Sequence, residues 1–222
     1  VGCVIVKHDT VIGEGWHVRT GEAHAEVIAL RAAGERARGA DVYVTLEPCC
    51  HHGRTPPCTD GLVAAGVRRV VSAMNDPNPL VAGKGVAALQ AAGIETGVGL
   101  MQASAEALNP GFIVRMRHGR PFVRVKLAAS LDGRTALKGG ESRWVTGEPA
   151  RRDVQRWRAR SSAILTGIGT VLADDPALTV RDFDIGRAPL RVVVDSQLRM
   201  PPSAQMLRLP GRTLIVTAAA DS

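Results

Sequence analysis

Thr45-Leu46-Glu47-Pro48-Cys49-Cys50-His51-His52-Gly53-Arg54-Thr55-Pro56-Pro57-Cys58 places three of the chain's four cysteines inside ten residues, beside two histidines. No secretory signal is visible, and in such a chain crowded cysteines favour metal or redox chemistry over a disulfide framework. Upstream, His24-Ala25-Glu26 stands at the start of a helix-like stretch. One imidazole and two thiolates can hold Zn²⁺ and leave a fourth position for water. Two thiolates cancel the charge of the ion, yet the ion still draws the pKa of that water towards neutrality. Glu26, two residues from the imidazole, can take the water's proton. Helix N-termini aimed at the metal help keep the cysteines as thiolates.

His-x-Glu followed by Pro-Cys…Cys is the zinc-deaminase pattern, in which the glutamate passes its proton to a departing amine. The usual Cys-x-x-Cys spacing is absent. Eight residues separate Cys49 from Cys58, so the intervening segment must loop out and return. Cys50 competes as a ligand, although adjacent side chains do not easily face one metal, and His51 or His52 can also substitute. Cys3 reads as a small apolar residue in a buried strand.

Outward from this centre, Val1 to Val6 and Val11 to Trp16 read as a hairpin turning at Lys7-His8-Asp9-Thr10. Val27, Leu30 and Ala33 give Glu22 to Arg38 a helical apolar period. Asp41 to Leu46 is a strand, Thr59 to Ala65 a helix ending at Gly66, and Arg68 to Ala73 a strand. The helix Val81 to Ala92 stops at Gly93, and the strand Ile94 to Val98 follows. Alternation of this kind predicts a largely parallel sheet with a hairpin at its start. From about residue 118 a second α/β pattern begins: strand Phe122 to Ala128, helix Glu148 to Arg160, strands Ser162 to Thr166, Leu190 to Asp195 and Thr213 to Thr217. Both ends read as cut, so the chain is expected to be an internal piece of a longer protein.

Composition bounds the function. At 222 residues the chain holds about one and a half average domains. It is 45% hydrophobic and 22% charged, too apolar and too evenly charged for a disordered chain. Its apolar runs fall far short of the ~18 to 20 residues that span a bilayer. Three Trp, three Phe and one Tyr are few for the base-stacking surfaces of single-strand nucleic-acid binders. The net charge of +7 is lopsided: residues 1–118 carry 11 Lys/Arg against 11 Asp/Glu, and residues 119–222 carry 17 against 10. A basic second half suits an anionic ligand such as a phosphorylated metabolite or cofactor.

His24-Ala25-Glu26, the Thr45 to Cys58 run, Asp76-Pro77-Asn78-Pro79 and Lys126-Leu127-Ala128-Ala129-Ser130-Leu131-Asp132-Gly133-Arg134 together closely resemble the bifunctional riboflavin-biosynthesis deaminase/reductase family. The resemblance covers essentially the whole chain, and the wide cysteine spacing is specific to this family among deaminases. It implies an α/β fold: a cytidine-deaminase-like three-layer domain over 1–118, then an incomplete dihydrofolate-reductase-like domain over 119–222. It implies hydrolytic deamination of 2,5-diamino-6-(ribosylamino)pyrimidinone 5′-phosphate in the first, with His24, Cys49 and Cys58 as zinc ligands and Glu26 as proton shuttle. In the second it implies NADPH-dependent reduction of the product's ribosyl group to ribityl. Ala128, Trp144, Thr170, Asp174 and Ser196 would line the NADPH site, and Ser142, Arg158, Leu178 and Arg181 would meet the substrate. The two arginines suit its phosphate by charge and fork geometry.

No Gly-x-Gly-x-x-Gly fingerprint supports an ordinary Rossmann site; Gly167-Ile168-Gly169-Thr170 after a strand is the turn that can present N–H groups to phosphate. Family members carry a segment before the residues matching Val1 and further strands after those matching Ser222. The piece alone is therefore expected to be a poor reductase. The expected partner is a small phosphorylated pyrimidine in the cytoplasm, with neither nucleic acid nor membrane, and association into a homo-oligomer is left open. The rival readings are a zinc deaminase of cytidine, guanine or a tRNA adenosine, a zinc-stabilised nucleic-acid-binding module, and a family member that has lost its reductase step.

Overall fold

The computed structural model describes residues 1–218; the last residues of the expected second domain, 219–222, lie outside the described residues. Gly2–Lys7 (β1) and Thr10–Trp16 (β2) form the antiparallel hairpin expected at the start. His8 and Asp9 turn the chain with φ of 50° and 57°. Asp41–Val44 (β3), Arg69–Ser72 (β4) and Glu95–Val98 (β5) complete a sheet of order β2-β1-β3-β4-β5. β3, β4 and β5 run parallel, and β1 pairs antiparallel with both β2 and β3.

Alternation sets the buried face. Cys3 and Ile5 of β1, Val42 and Val44 of β3 and Val70 of β4 turn to one side of the sheet, where they meet Ala25, Ala29 and Ala33 of Ala25–Ala33 (α1), Leu62 of Cys58–Ala65 (α2) and Leu89 of Lys84–Ala91 (α3). Leu62 and Leu89 are fully buried, each contributing about 1.5 to 3 kcal/mol relative to exposure. Burial pushes the Cys3 thiol up from its usual range, in keeping with a packing role. Gln102–Leu108 (α4) and Pro110–His118 (α5) place Ala105, Phe112 and Ile113 on Leu46, Ala73 and Met74 in a separate cluster. Neither helix is evident from the sequence periodicity.

Two expectations need correcting. The helix predicted over Glu22 to Arg38 starts at Ala25 and breaks at Gly34, whose φ of 57° diverts the chain into a 3-10 turn, Gly34–Ala37. Its buried side is the alanine stripe rather than Val27 and Leu30, which are half-buried. The reason lies in β2: a Cβ on Gly13 would sit 2.4 Å from the carbonyl oxygen of Ala29, and one on Gly15 2.6 Å from that of Ala25. Only small residues on both elements allow so close an approach. The strand expected over Phe122 to Ala128 is irregular, with no ladder partner among the described residues. Val125 and Leu127 there are each 78% exposed. Alternation makes a strand only where a neighbour completes its hydrogen bonds.

The chain divides into two compact units, Val1–Arg124 and the part from Val125 onward. In the second, Glu148–Ala159 (α6) precedes Ala163–Gly167 (β6), and Ile168–Asp174 (α7) follows it. Leu190–Val194 (β7) and Thr213–Val216 (β8) flank the short helix Gln205–Arg208 (α8). The three strands are parallel in the order β6-β7-β8. Ile164, Val193 and Ile215 pack with Ile168, Val171, Leu178, Met200 and Met206 on one face. Leu165, Val194, Leu214 and Val216, which alternate with them, are exposed. No helix among the described residues is long and apolar enough to cross a membrane.

Candidate metal centre and active site

His24 is the N-cap of α1, Cys49 lies in the loop after β3, and Cys58 opens α2. The two helix starts and the loop between them bring the three side chains together, each offering a ligand atom within 4.8 Å of the others. His24 Nδ1 lies 3.2 Å from Cys58 Sγ and 3.6 Å from Cys49 Sγ. The other ring nitrogen, Nε2, is 3.3 Å from Thr55 Oγ1, the kind of outer contact that orients a ligating imidazole. The Cys58 N–H, the first of α2, donates to Cys49 Sγ at 3.3 Å, so the helix start itself favours a thiolate on Cys49.

A hydrogen bond from the Cys58 thiol holds Cys49 well below the usual thiol range. The same bond, with burial, pushes Cys58 up. A site where two sulfurs contest one proton beside an imidazole nitrogen suits a divalent cation: one imidazole and two thiolates leave a tetrahedral ion an open position, as in catalytic zinc sites. Cys50, His51 and His52 stand outside this group.

Glu26 follows His24 by two residues on the first turn of α1 and is only 4% exposed. Burial pushes its carboxyl up, with the Cys49 charge adding to the effect. The open side of the centre is a cleft of about 230 Å³ whose walls include His17, His51, Arg54 and Thr55. The His17 ring meets the His24 ring edge-on at 5.2 Å and its Nδ1 lies 3.1 Å from the Ala23 carbonyl oxygen. Sequence reasoning missed His17 and gave Arg54 and Thr55 no role. The signal for His17 was its place seven residues before His24, which becomes meaningful only once the end of β2 is seen beside the start of α1.

The residues that the family resemblance assigns to the second unit fall into groups. Ser142 Oγ donates to Asp174 Oδ1 at 3.5 Å, and Arg143 reaches the Asp174 carbonyl oxygen at 3.4 Å. Thr170 and Asp174 both lie on α7. The Arg151 guanidinium stacks over the exposed Trp144 ring at 4.5 Å. Arg158 of α6 donates to the Thr179 carbonyl oxygen at 3.0 Å, and the Arg181 N–H donates to Gln155 Oε1 at 3.0 Å. Burial, and then the nearby Arg181 charge, pull the Arg158 guanidinium below its usual range. Leu178 is buried in the core cluster, Ser196 is exposed just after β7, and Ala128 is half-buried in the irregular segment.

Known proteins share this layout. Over its whole length the chain is 57% identical to riboflavin biosynthesis protein RibD of Escherichia coli and covers 64% of that protein. The solved structure of Acinetobacter baumannii RibD matches 97% of the chain at 54% identity with a TM-score of 0.91. The chain is similar to RibD proteins along essentially its whole length. A Thermotoga maritima structure, described as a diaminohydroxyphosphoribosylaminopyrimidine deaminase/5-amino-6-(5-phosphoribosylamino)uracil reductase, covers the whole chain at 39% identity with a TM-score of 0.93, and the chain spans 64% of it. The family model for the cytidine and deoxycytidylate deaminase zinc-binding region matches residues 1–74, and that for the RibD C-terminal domain matches residues 121–222. The chain spans about three fifths of the length of the curated RibD relatives it matches.

Proposed function

We propose that residues 1–118 form a zinc-dependent deaminase domain acting on 2,5-diamino-6-(ribosylamino)pyrimidinone 5′-phosphate, and that residues 119–222 belong to the NADPH-dependent domain that reduces the ribosyl group of the product to ribityl. The observation that carries the first part is the convergence of His24, Cys49 and Cys58 beside a buried Glu26. These three side chains would hold Zn²⁺, which when bound supplies the Lewis acidity that makes a water molecule ionise near neutral pH.

The chain's own residues do the rest. Thr55 steadies the His24 ring through Nε2, leaving Nδ1 towards the sulfurs. The Glu26 carboxylate takes a proton from water and delivers it to the amine as the carbon–nitrogen bond breaks, so that water and an amino-bearing carbon become a carbonyl and ammonia. Arg54 on the cleft wall offers a fork for the substrate's phosphate. In the second unit, Trp144, Thr170, Asp174, Ser196 and Ala128 are proposed for NADPH, and Ser142, Arg158, Leu178 and Arg181 for the sugar phosphate. The partner is a small phosphorylated pyrimidine met in the cytoplasm, rather than a nucleic acid.

Metal analysis beside an ammonia assay tests this reading. Wild type and Cys50→Ala are expected to retain about one zinc ion per chain, and Cys49→Ala and Cys58→Ala to lose it. Ammonia should come from the diaminopyrimidine phosphate and not from cytidine. Release from cytidine alone, or full zinc in Cys58→Ala, would overturn the assignment.

A further inference from the structure

Glu47 is a buried acid that the proposed chemistry leaves unused. It is 3% exposed and directly precedes Pro48 and Cys49. Main chain saturates its carboxylate. Oε2 accepts the N–H of Asp76 at 3.0 Å and of Gly83 at 2.9 Å, and Oε1 accepts those of Gly85 at 2.9 Å and Val86 at 3.1 Å. The Glu47 N–H donates in turn to the Met74 carbonyl oxygen at 3.0 Å. One side chain thus fastens the segment after β4 and the first turn of α3 to the residue two before Cys49. Hydrogen bonds to an ionised acceptor are roughly twice as strong as neutral ones.

Gly85 closes the same junction from the other side. A Cβ there would lie 2.0 Å from the Pro48 carbonyl oxygen and 3.2 Å from Glu47 Oε1, so α3 abuts the backbone just before Cys49. The Asp76 side chain accepts the Asn78 N–H at 2.8 Å and lies near enough to Glu47, Cys49 and His51 to feel their charges. The Asp76-Pro77-Asn78-Pro79 run is therefore anchored at Asp76 to Glu47.

We propose that Glu47 is a positioning residue: by gripping the 76–86 segment it fixes the backbone that carries Cys49 against that segment, so that the ligand keeps a single geometry. Its kinetic readout rests on the deamination reading, and its metal readout does not.

Glu47→Gln keeps the shape but turns one acceptor oxygen into an NH₂ facing two N–H groups. Zinc- and cobalt-loaded chains of wild type and variant are to be compared at a temperature where circular dichroism shows both folded. The expected result is retained metal, a shifted sulfur-to-cobalt absorption band, and a kcat/KM for ammonia release lower by about ten- to a hundredfold. Gly85→Ala, which presses on Pro48 with Glu47 intact, is expected to move both readouts the same way. A Glu47→Gln chain with the wild-type cobalt spectrum and kcat/KM, whatever its melting temperature, overturns the proposal, as does unfolding of both variants in zinc. If the wild-type chain releases no ammonia, the deamination reading falls, and the cobalt spectra alone then uphold or overturn the role of Glu47.

Discussion

In the first unit, Gly13 and Gly15 let α1 lie so near β2 that an added Cβ would meet helix backbone at 2.4 and 2.6 Å. In the second, Gly167 and Gly169, at the junction of β6 and α7, have no atom within 4 Å of where a Cβ would stand. The sheets differ in the same sense. Val42, Val44 and Val70 are sealed under helices, whereas Leu165, Val194, Leu214 and Val216 stand exposed on one face of β6, β7 and β8. The proposed site residues follow suit: His24, Cys49, Cys58 and Glu26 are held by helix starts and a buried core. Trp144 and Ser196 lie at the surface and Ser142 is half-buried. The lesson is that a site is pre-organised to the degree that its supporting backbone is confined on every side.

That contrast can be broken at three levels. Glu26→Gln should have the largest effect: if the first unit holds a complete, rigid centre, the variant keeps its zinc and its fold while kcat for ammonia release drops by about 10²- to 10⁴-fold. Full activity with zinc bound would remove Glu26 from its role. Next comes one substitution made in both units. Gly15→Ala must displace α1 and should destabilise the first unit by about 3 kcal/mol, weakening zinc retention with it. Gly169→Ala, in an open stretch of α7, should stabilise the second unit by about 0.5 to 1 kcal/mol. Thermal melts of the two variants read the opposite signs, and equal shifts would erase the distinction between the units. The smallest response is expected from the cofactor: NADPH titrated into this chain should give no tight, saturable signal, because an apolar sheet face left open offers no enclosed pocket. Tight saturable binding would show that the second unit is pre-organised after all.

Much of the metal centre was legible as residue types at fixed spacing. An imidazole two residues before a carboxylate, and cysteines flanking a Pro-rich loop, state which donors are available and which group can carry a proton. The hairpin, the parallel strands and the helix after the loop followed from alternation and glycine stops. The alanine stripe of α1 did not, because the larger Val27 and Leu30 dominate any periodicity while the small residues do the close packing. The segment Phe122 to Ala128 was misjudged for a related reason: its alternation describes a propensity, and a ladder needs a second strand in register. Glu47 sat in plain view between Leu46 and Pro48, yet its four N–H partners come from residues 76 to 86, a separation that no local pattern reports.

The sequence by itself determined the donor set, the order of helices and strands in the first unit as far as β5, and the basic bias of the second half, since these depend on side-chain chemistry and short-range periodicity. Only the tertiary structure decided which helix face meets the sheet, that His17 and Thr55 stand against the His24 ring, and that a buried carboxylate ties the loop before Cys49 to α3. Those are properties of distances across the chain. They are set by which surfaces can approach without collision, and neighbours in sequence do not specify that.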